Sequence, residues 1–317
     1  KWANAKTSDG SMWVWIPRYA YSITSGYHSS SAGNIEVEFM KGLTNETSTG
    51  RTTFQNSSGQ GNWNIHPAFN YGQTVSGIWV AKFEASRSNA TSSSAGSNNT
   101  IKIQPGVQSW RSITVNDIYT NCLNYNKTLN SHMMKNDEWG AVAYLSKSKY
   151  GKNAEVTIND SSSYYTGGGS GNAYVTNVGQ STTGTVHGVY DMSAGAWENV
   201  AAYVNNSYTT STGSSLVNGD AKTKNVYSKA STDKATNNYS ANSGKYGDAV
   251  YETSENGNTK YGSWYGDYAD FPSTSGPFFS RGGGQNIGTY AGVFLFYGDS
   301  GKGDSGAVSF RPVLVTL

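Results

Sequence analysis

Few residues of this 317-residue chain are of types that could make or break bonds, and their spacing decides what each is worth. His28, His66, His132 and His187 stand far apart and form no H-x-x-x-H or similar ligand spacing, so each reads as a surface or hydrogen-bonded loop residue rather than a metal ligand. Cys122 is alone, which rules out an intrachain disulfide framework and a multi-cysteine zinc site and leaves the redox compartment open. Its neighbours place it on the apolar face of a helix, where a thiol acts as a small hydrophobe. Asp191 and Glu198 have the types of a glycosidase acid/base pair. Asp299 and Asp304, in DSGKGD, evoke a calcium loop but lack the alternating ligands and terminal Glu of an EF-hand. The RGGG at 281–284 opens no helix and lacks the Lys-Ser/Thr end of a phosphate-binding loop.

Contact residues are more plentiful, and they concentrate in residues 281–317, RGGGQNIGTYAGVFLFYGDSGKGDSGAVSFRPVLVTL. A period-2 reading finds a strand over 291–297 and a closing strand over 309–315, joined by small polar loops. Successive side chains of a strand alternate in direction, so Phe294 and Phe296 share one face while Val293, Leu295 and Tyr297 share the other. Two readings follow from the pattern: a strand buried on both sides, or a strand whose Leu295 and Tyr297 face outward as a contact surface.

Composition agrees with a contact role. With 23 basic against 21 acidic residues, 14% charged and net charge +2, the chain has no basic stripe for nucleic acid and no acidic tail for a basic partner. Its 38 Gly and 23 Tyr, with abundant Ser, Thr and Asn, give a polar, uncharged surface of the kind seen on displayed β-rich proteins and on paratopes. No apolar run is long enough to span a bilayer, and no signal peptide opens the chain. Lys1 as first residue leads us to expect a processed protein or a C-terminal fragment whose anchor or assembly module precedes it.

The elements that must hold these residues read as follows. Residues 11–23 (SMWVWIPRYAYSI) are aromatic and β-branched and are interrupted by Pro17, which suits an edge strand or two short strands with a bend. Residues 36–39 and 78–84 also read as strands, with a polar loop over 44–61. The period changes at 114–125, where Thr114 caps a helix with Ile118, Cys122 and Tyr125 on one face. A second helix is expected over 136–145, capped by Asn136, with Asp137 and Glu138 in its first turn and Trp139 on its apolar stripe. Residues 151–186 and 205–246 are polar tracts without the apolar content for a core of their own and read as long surface insertions of a single domain, 1–317. The order implies an α+β fold with much irregular structure. Trp264, Tyr265 and Tyr268 offer rings that either stack on sugars or pack the core.

Five segments, in order, resemble the landmarks of the formylglycine-generating-enzyme-like (sulfatase-modifying-factor) branch of the C-type lectin fold. MWVWIP at 12–17 and GIWVAKFEAS at 77–86 look like its first two strands; residues 109–125 and HMMKNDEWGAVAYL at 132–145 look like its helices. GVYDMSAGAWENV at 188–200 is similar to the signature G-x-Y-D-M-x-G-N-x-W-E-W, and Arg281-Gly282-Gly283 with Phe310-Arg311 matches the RGG and FR endings. Two departures stand out: Ala194-Gly195-Ala196 where Gly-Asn is usual, and Asn199 in place of the last Trp.

The resemblance implies a C-type lectin fold with two short helices and a structural role for Asp191 and Glu198. The oxidase members of the branch use paired cysteines near the C-terminal end, and this chain has none there, so no enzymatic activity and no cofactor are expected. The calcium-dependent lectins' Glu-Pro-Asn and Gln-Pro-Asp triplets are also missing. The chain is most similar to the variable proteins of diversity-generating retroelements, phage tropism determinants among them. In those proteins, changes at adenines of Asn codons diversify a binding face on a fixed frame. Val293, Phe294, Phe296, Phe310, Arg311 and Pro312 match the frame, and Gln285 and Lys302 are left with it. Within the ligand-binding segment, about 281–311, the residue types reachable by such changes stand at Gly284, Asn286, Ile287, Tyr290, Leu295, Tyr297, Gly298, Asp299, Asp304, Ala307 and Val308. The resemblance thus turns the choice at Leu295 and Tyr297 toward exposure. It implies adhesion or receptor recognition on a bacterial cell surface or phage virion, a protein or glycan ligand on another cell, no nucleic-acid partner, and oligomerisation through a region before Lys1. A non-diversified surface adhesin or structural domain of the same fold, binding glycan or cell-wall material, is the other expectation.

Overall fold

The computed structural model describes residues 2–89 and 100–317, so Lys1 and anything expected of it lie outside the described residues. The chain is α+β, with four α-helices and several mainly antiparallel sheets among those residues. The aromatic run at 11–23 does divide at Pro17. Met12–Pro17 and Tyr19–Ser25 are separate strands, and they enter different sheets. Met12–Pro17 is no edge: it lies between Asn4–Lys6 and Gly77–Ala81 in a five-stranded sheet. Pro17 sits at the end of that ladder, opposite Gly77, where its missing N–H matters least.

The sheet that carries the C-terminal segment has Trp197–Val204 and Gly292–Asp299 on either side of Phe278–Gly282. Ala269–Asp270 continues it beyond Gly292–Asp299, and Asn225–Tyr227 beyond Trp197–Val204. The closing strand expected over 309–315 is split. Val308–Ser309 joins Trp197–Val204, whereas Pro312–Leu314 crosses to the five-stranded sheet between Gly77–Ala81 and His132–Met133. Phe310 and Arg311, buried between the two pieces, therefore tie both sheets together.

Local sequence explains the first helix well. Thr114 Oγ1 accepts the Asp117 N–H at 3.1 Å and opens Val115–Tyr125, with Ile118 and Cys122 buried. The second helix, Asn136–Lys147, corrects the expected cap. Lys135 is the N-cap residue, and the Glu138 carboxylate accepts its N–H at 2.8 Å. Asn136 is used elsewhere: its amide donates to Tyr227 Oη at 2.7 Å and accepts from Arg281 Nη1 at 3.0 Å.

The tract 205–246, read as a polar surface insertion, holds helices Thr209–Asn218 and Ala235–Ala241 as well as strand Asn225–Tyr227. It contributes Leu216, Tyr227 and Tyr239 to the core, so a few apolar residues suffice when the rest of the domain supplies the other wall. No helix among the described residues is long and apolar enough to cross a membrane.

Candidate binding groove

The signature at 188–200 builds a buried charge cluster. Asp191 and Ala194 take positive φ, +64° and +61°, which turns the chain tightly around Glu84 and Asn159. Asp191 accepts from Asn159 Nδ2 (3.0 Å) and from the Gly167 N–H (2.8 Å), and Glu84 Oε1 accepts the Ala196 N–H at 2.9 Å. Arg311 donates from Nε and Nη2 to the two oxygens of Glu198 and from its remaining N–H groups to the Ala81 and Tyr190 carbonyls. Burial, with repulsion from Asp191 and Glu198, pushes the Glu84 carboxyl well up. Asp191 and Glu198 are 1% and 0% exposed, so they cannot flank a bound sugar as an acid/base pair must. Their work is internal.

The histidines are spent in the same way. His66 and His132 are buried rather than at the surface, His132 Nε2 lying 2.9 Å from Glu138 Oε1, and desolvation pushes His66 down to about 3. His28 stacks on Tyr251 with ring centroids 4.2 Å apart. No group of three or more His, Cys, Asp or Glu that could hold a metal ion occurs among the described residues. Cys122 is fully buried, and desolvation pushes its thiol well up.

The outer face of the sheet is different. Glu198 points inward to Arg311, so alternation along Trp197–Val204 sends Trp197 and Asn199 to the other side. Asn199 pairs with Ser280, and Ser280 with Tyr297, which sets these three side by side. The Trp197 and Tyr297 rings meet at 5.1 Å, and Tyr268 adds a third ring 5.5 Å from Tyr297. Across from them, Tyr290 packs on Tyr261 at 4.5 Å, the Tyr261 hydroxyl donating to Tyr290 Oη at 2.9 Å, and Lys260 Nζ lies 5.4 Å from the Tyr290 ring. Between the two groups opens a groove of about 380 Å³, with Asn286 and Ile287 completing its wall.

Four residues singled out in the sequence therefore converge: Asn286, Ile287, Tyr290 and Tyr297. The others do not join them. Leu295 has no exposed surface, which corrects the expectation that it faces solvent. Alternation gives the face a side chain shares, not what covers that face, and the register with Phe278–Gly282 shifts between Arg281 and Gly282 beside this strand. Gly284 is buried, and a Cβ there would meet Trp197 Nε1 at 2.7 Å. A Cβ at Gly298 would meet the Gly276 carbonyl oxygen at 2.9 Å. Neither glycine can be exchanged without moving its neighbours.

The remaining residues of the segment lie along the 299–308 loop. Val308 is buried in a strand pair with Trp197, and the Ala307 carbonyl accepts the Trp197 N–H. Asp299 accepts the Gly301 N–H at 2.7 Å, and Asp304 is exposed. Of the three rings considered for sugar stacking, Trp264 is in the core and Tyr265 is half-buried 6.2 Å from Phe294, which leaves Tyr268 for the groove.

Trp197, Lys260 and Tyr261 were not singled out as contacts. Trp197 was legible in principle, since it alternates with Glu198 inside the signature; nothing local marks Lys260 or Tyr261, which reach the groove through the loop before Ala269–Asp270. Compared with protein-family models and with curated protein sequences, the chain matches none.

Proposed function

We propose that this chain is a ligand-binding protein without catalytic activity of its own, built on the C-type lectin fold of the formylglycine-generating-enzyme-like branch and similar to the variable proteins of diversity-generating retroelements. Its binding face is the groove between Trp197, Tyr297 and Tyr290, and its setting is a bacterial cell surface or a virion. The observation that carries this reading is the convergence of Asn286, Ile287, Tyr290 and Tyr297, drawn from one short segment, on a single groove. Half-exposed aromatic rings on a rigid sheet are the anchors that binding interfaces favour. The charged side chains of the signature and of the RGG and FR endings are meanwhile consumed in the interior, as a frame requires.

A second reading, an adhesin of the same fold that is not diversified and binds glycan or cell-wall material, is favoured by Gly284, Leu295 and Gly298, whose surroundings leave no room for exchange. Two measurements separate and test these. Sequencing the gene across isolates, with its flanks, should show substitutions gathered at Asn286, Ile287, Tyr290 and Tyr297 beside a near-repeat and a reverse transcriptase; changes scattered over the whole surface would leave only the second reading. Capture of the protein by intact bacterial cells should fall in a folded Tyr290→Ala/Tyr297→Ala double variant, and unchanged capture would remove the groove from both.

A further inference from the structure

The face that carries Tyr297 holds an accessible carboxylate as well as rings. On the next strand Ala269 pairs with Phe296, which turns Tyr268 and Asp270 to the Tyr297 side. No donor among the described residues reaches the half-buried Asp270 carboxylate, and burial alone pushes it up to about 6. Asp270 also borders a second hollow of about 280 Å³, walled by Ser273, Thr274, Ser275 and Ser300. That hollow begins at Gly298, the residue after Tyr297 of the groove.

We infer that the two hollows are one cleft and that its ligand is a pyranose oligosaccharide. One sugar ring lays its C–H face on Tyr297 and Tyr268 and donates hydroxyls to Asp270, and the next ring occupies the Ser/Thr hollow. This rests on the ligand-binding reading above and names the chemistry of the ligand. The alternative occupant, an apolar side chain of a protein partner, fits the rings but not the Asp270 carboxylate. It would cover the Asp270 carboxylate without supplying a donor, and a buried acceptor left unpaired weakens binding. A pyranose brings both a flat apolar face and a dense set of hydroxyl donors. The joined cleft also falls in the range of about 300–1,000 Å³ usual for small-molecule sites.

The test has two arms, both with the full chain. In the first, immobilised neutral trisaccharides with glucose, galactose, mannose or N-acetylglucosamine units are probed with the native protein and three variants. At least one trisaccharide should bind. Tyr297→Ala should weaken it at least about tenfold and Asp270→Asn about tenfold, while Tyr297→Phe, which keeps the ring, should stay within about threefold. Near-ultraviolet circular dichroism checks that each variant is folded. No binding to any of the four probes, or binding indifferent to Tyr297→Ala and Asp270→Asn, overturns the inference.

In the second arm, intact bacterial cells are treated with periodate, which cleaves vicinal diols, or with proteinase K. Capture lost after periodate and kept after proteinase supports the inference. Capture lost after proteinase and kept after periodate overturns it while leaving the ligand-binding reading in place, and absence of capture by any untreated cells overturns both.

Discussion

Arg311 holds Glu198 in a two-pronged grip, Nε donating to Oε2 at 2.7 Å and Nη2 to Oε1, with neither residue more than 1% exposed. The pair joins the Trp197–Val204 strand to the link between the two largest sheets, and the other N–H groups of Arg311 satisfy the Ala81 and Tyr190 carbonyls. Removing the cation leaves a buried carboxylate with Glu84 and Asp191 nearby and nothing to offset it. Arg311→Met should therefore destabilise the protein by about 3–5 kcal/mol, read from urea unfolding. A loss below about 1 kcal/mol would show that the cluster is not what joins the sheets.

Glu252 is the buried carboxylate whose pH response can be isolated. Its Oε2 accepts from the Tyr21 and Tyr144 hydroxyls and the Gly247 N–H, yet burial pushes the group up to about 7. The folded protein therefore binds this proton more tightly than the unfolded chain, and stability from Glu252 is fully present at low pH and falls as pH rises between about 4.5 and about 7. Glu252→Gln keeps an acceptor for the same three donors and removes the titration. The stability of the Gln variant relative to the native protein should rise by up to roughly 3 kcal/mol across that window. A flat difference between pH 4.5 and 8 would contradict the shift.

Cys122 gives a test of the first helix. The thiol is fully buried and desolvation holds it protonated, so it should not react with a disulfide reagent in the native protein at pH 8 and should titrate as one thiol in denaturant. Prompt native-state labelling would mean that Val115–Tyr125 opens readily.

What the sequence made legible divides by range. Thr114 caps its helix through an atom three residues away, and that is readable locally. Asn136 has the type of a cap but is drawn off by Arg281, 145 residues later, and no local pattern shows that competition. The polar tract 205–246 looked coreless because its own apolar residues are few; Leu216, Tyr227 and Tyr239 each find partners supplied by the rest of the chain. At the groove, Asn286, Ile287, Tyr290 and Tyr297 are among the residues the sequence names by type, but the seven named with them lie elsewhere. Trp197 and Lys260 enter from elsewhere, Trp197 by strand pairing and Lys260 by loop placement, both of which only the folded chain fixes.

Leu295 and Tyr297 put that lesson to a direct test, because alternation assigned them one role and the structure assigns them two. Leu295 is 0% exposed, so Leu295→Ala removes buried methyl groups and leaves a cavity, with an expected loss of about 2–5 kcal/mol. Tyr297 is half-buried and packs by its ring on Trp197 and Tyr268, so Tyr297→Ala should lower stability by only about 1 kcal/mol. Binding should sort the other way. A stable fraction of Leu295→Ala, assayed well below its melting temperature, should keep ligand capture within about threefold, whereas Tyr297→Ala should lose it at least about tenfold. Thermal unfolding and cell capture measured on the same two proteins check both halves. Equal stability losses would return Leu295 to the surface, and equal binding losses would make the strand, rather than the groove, the unit of recognition.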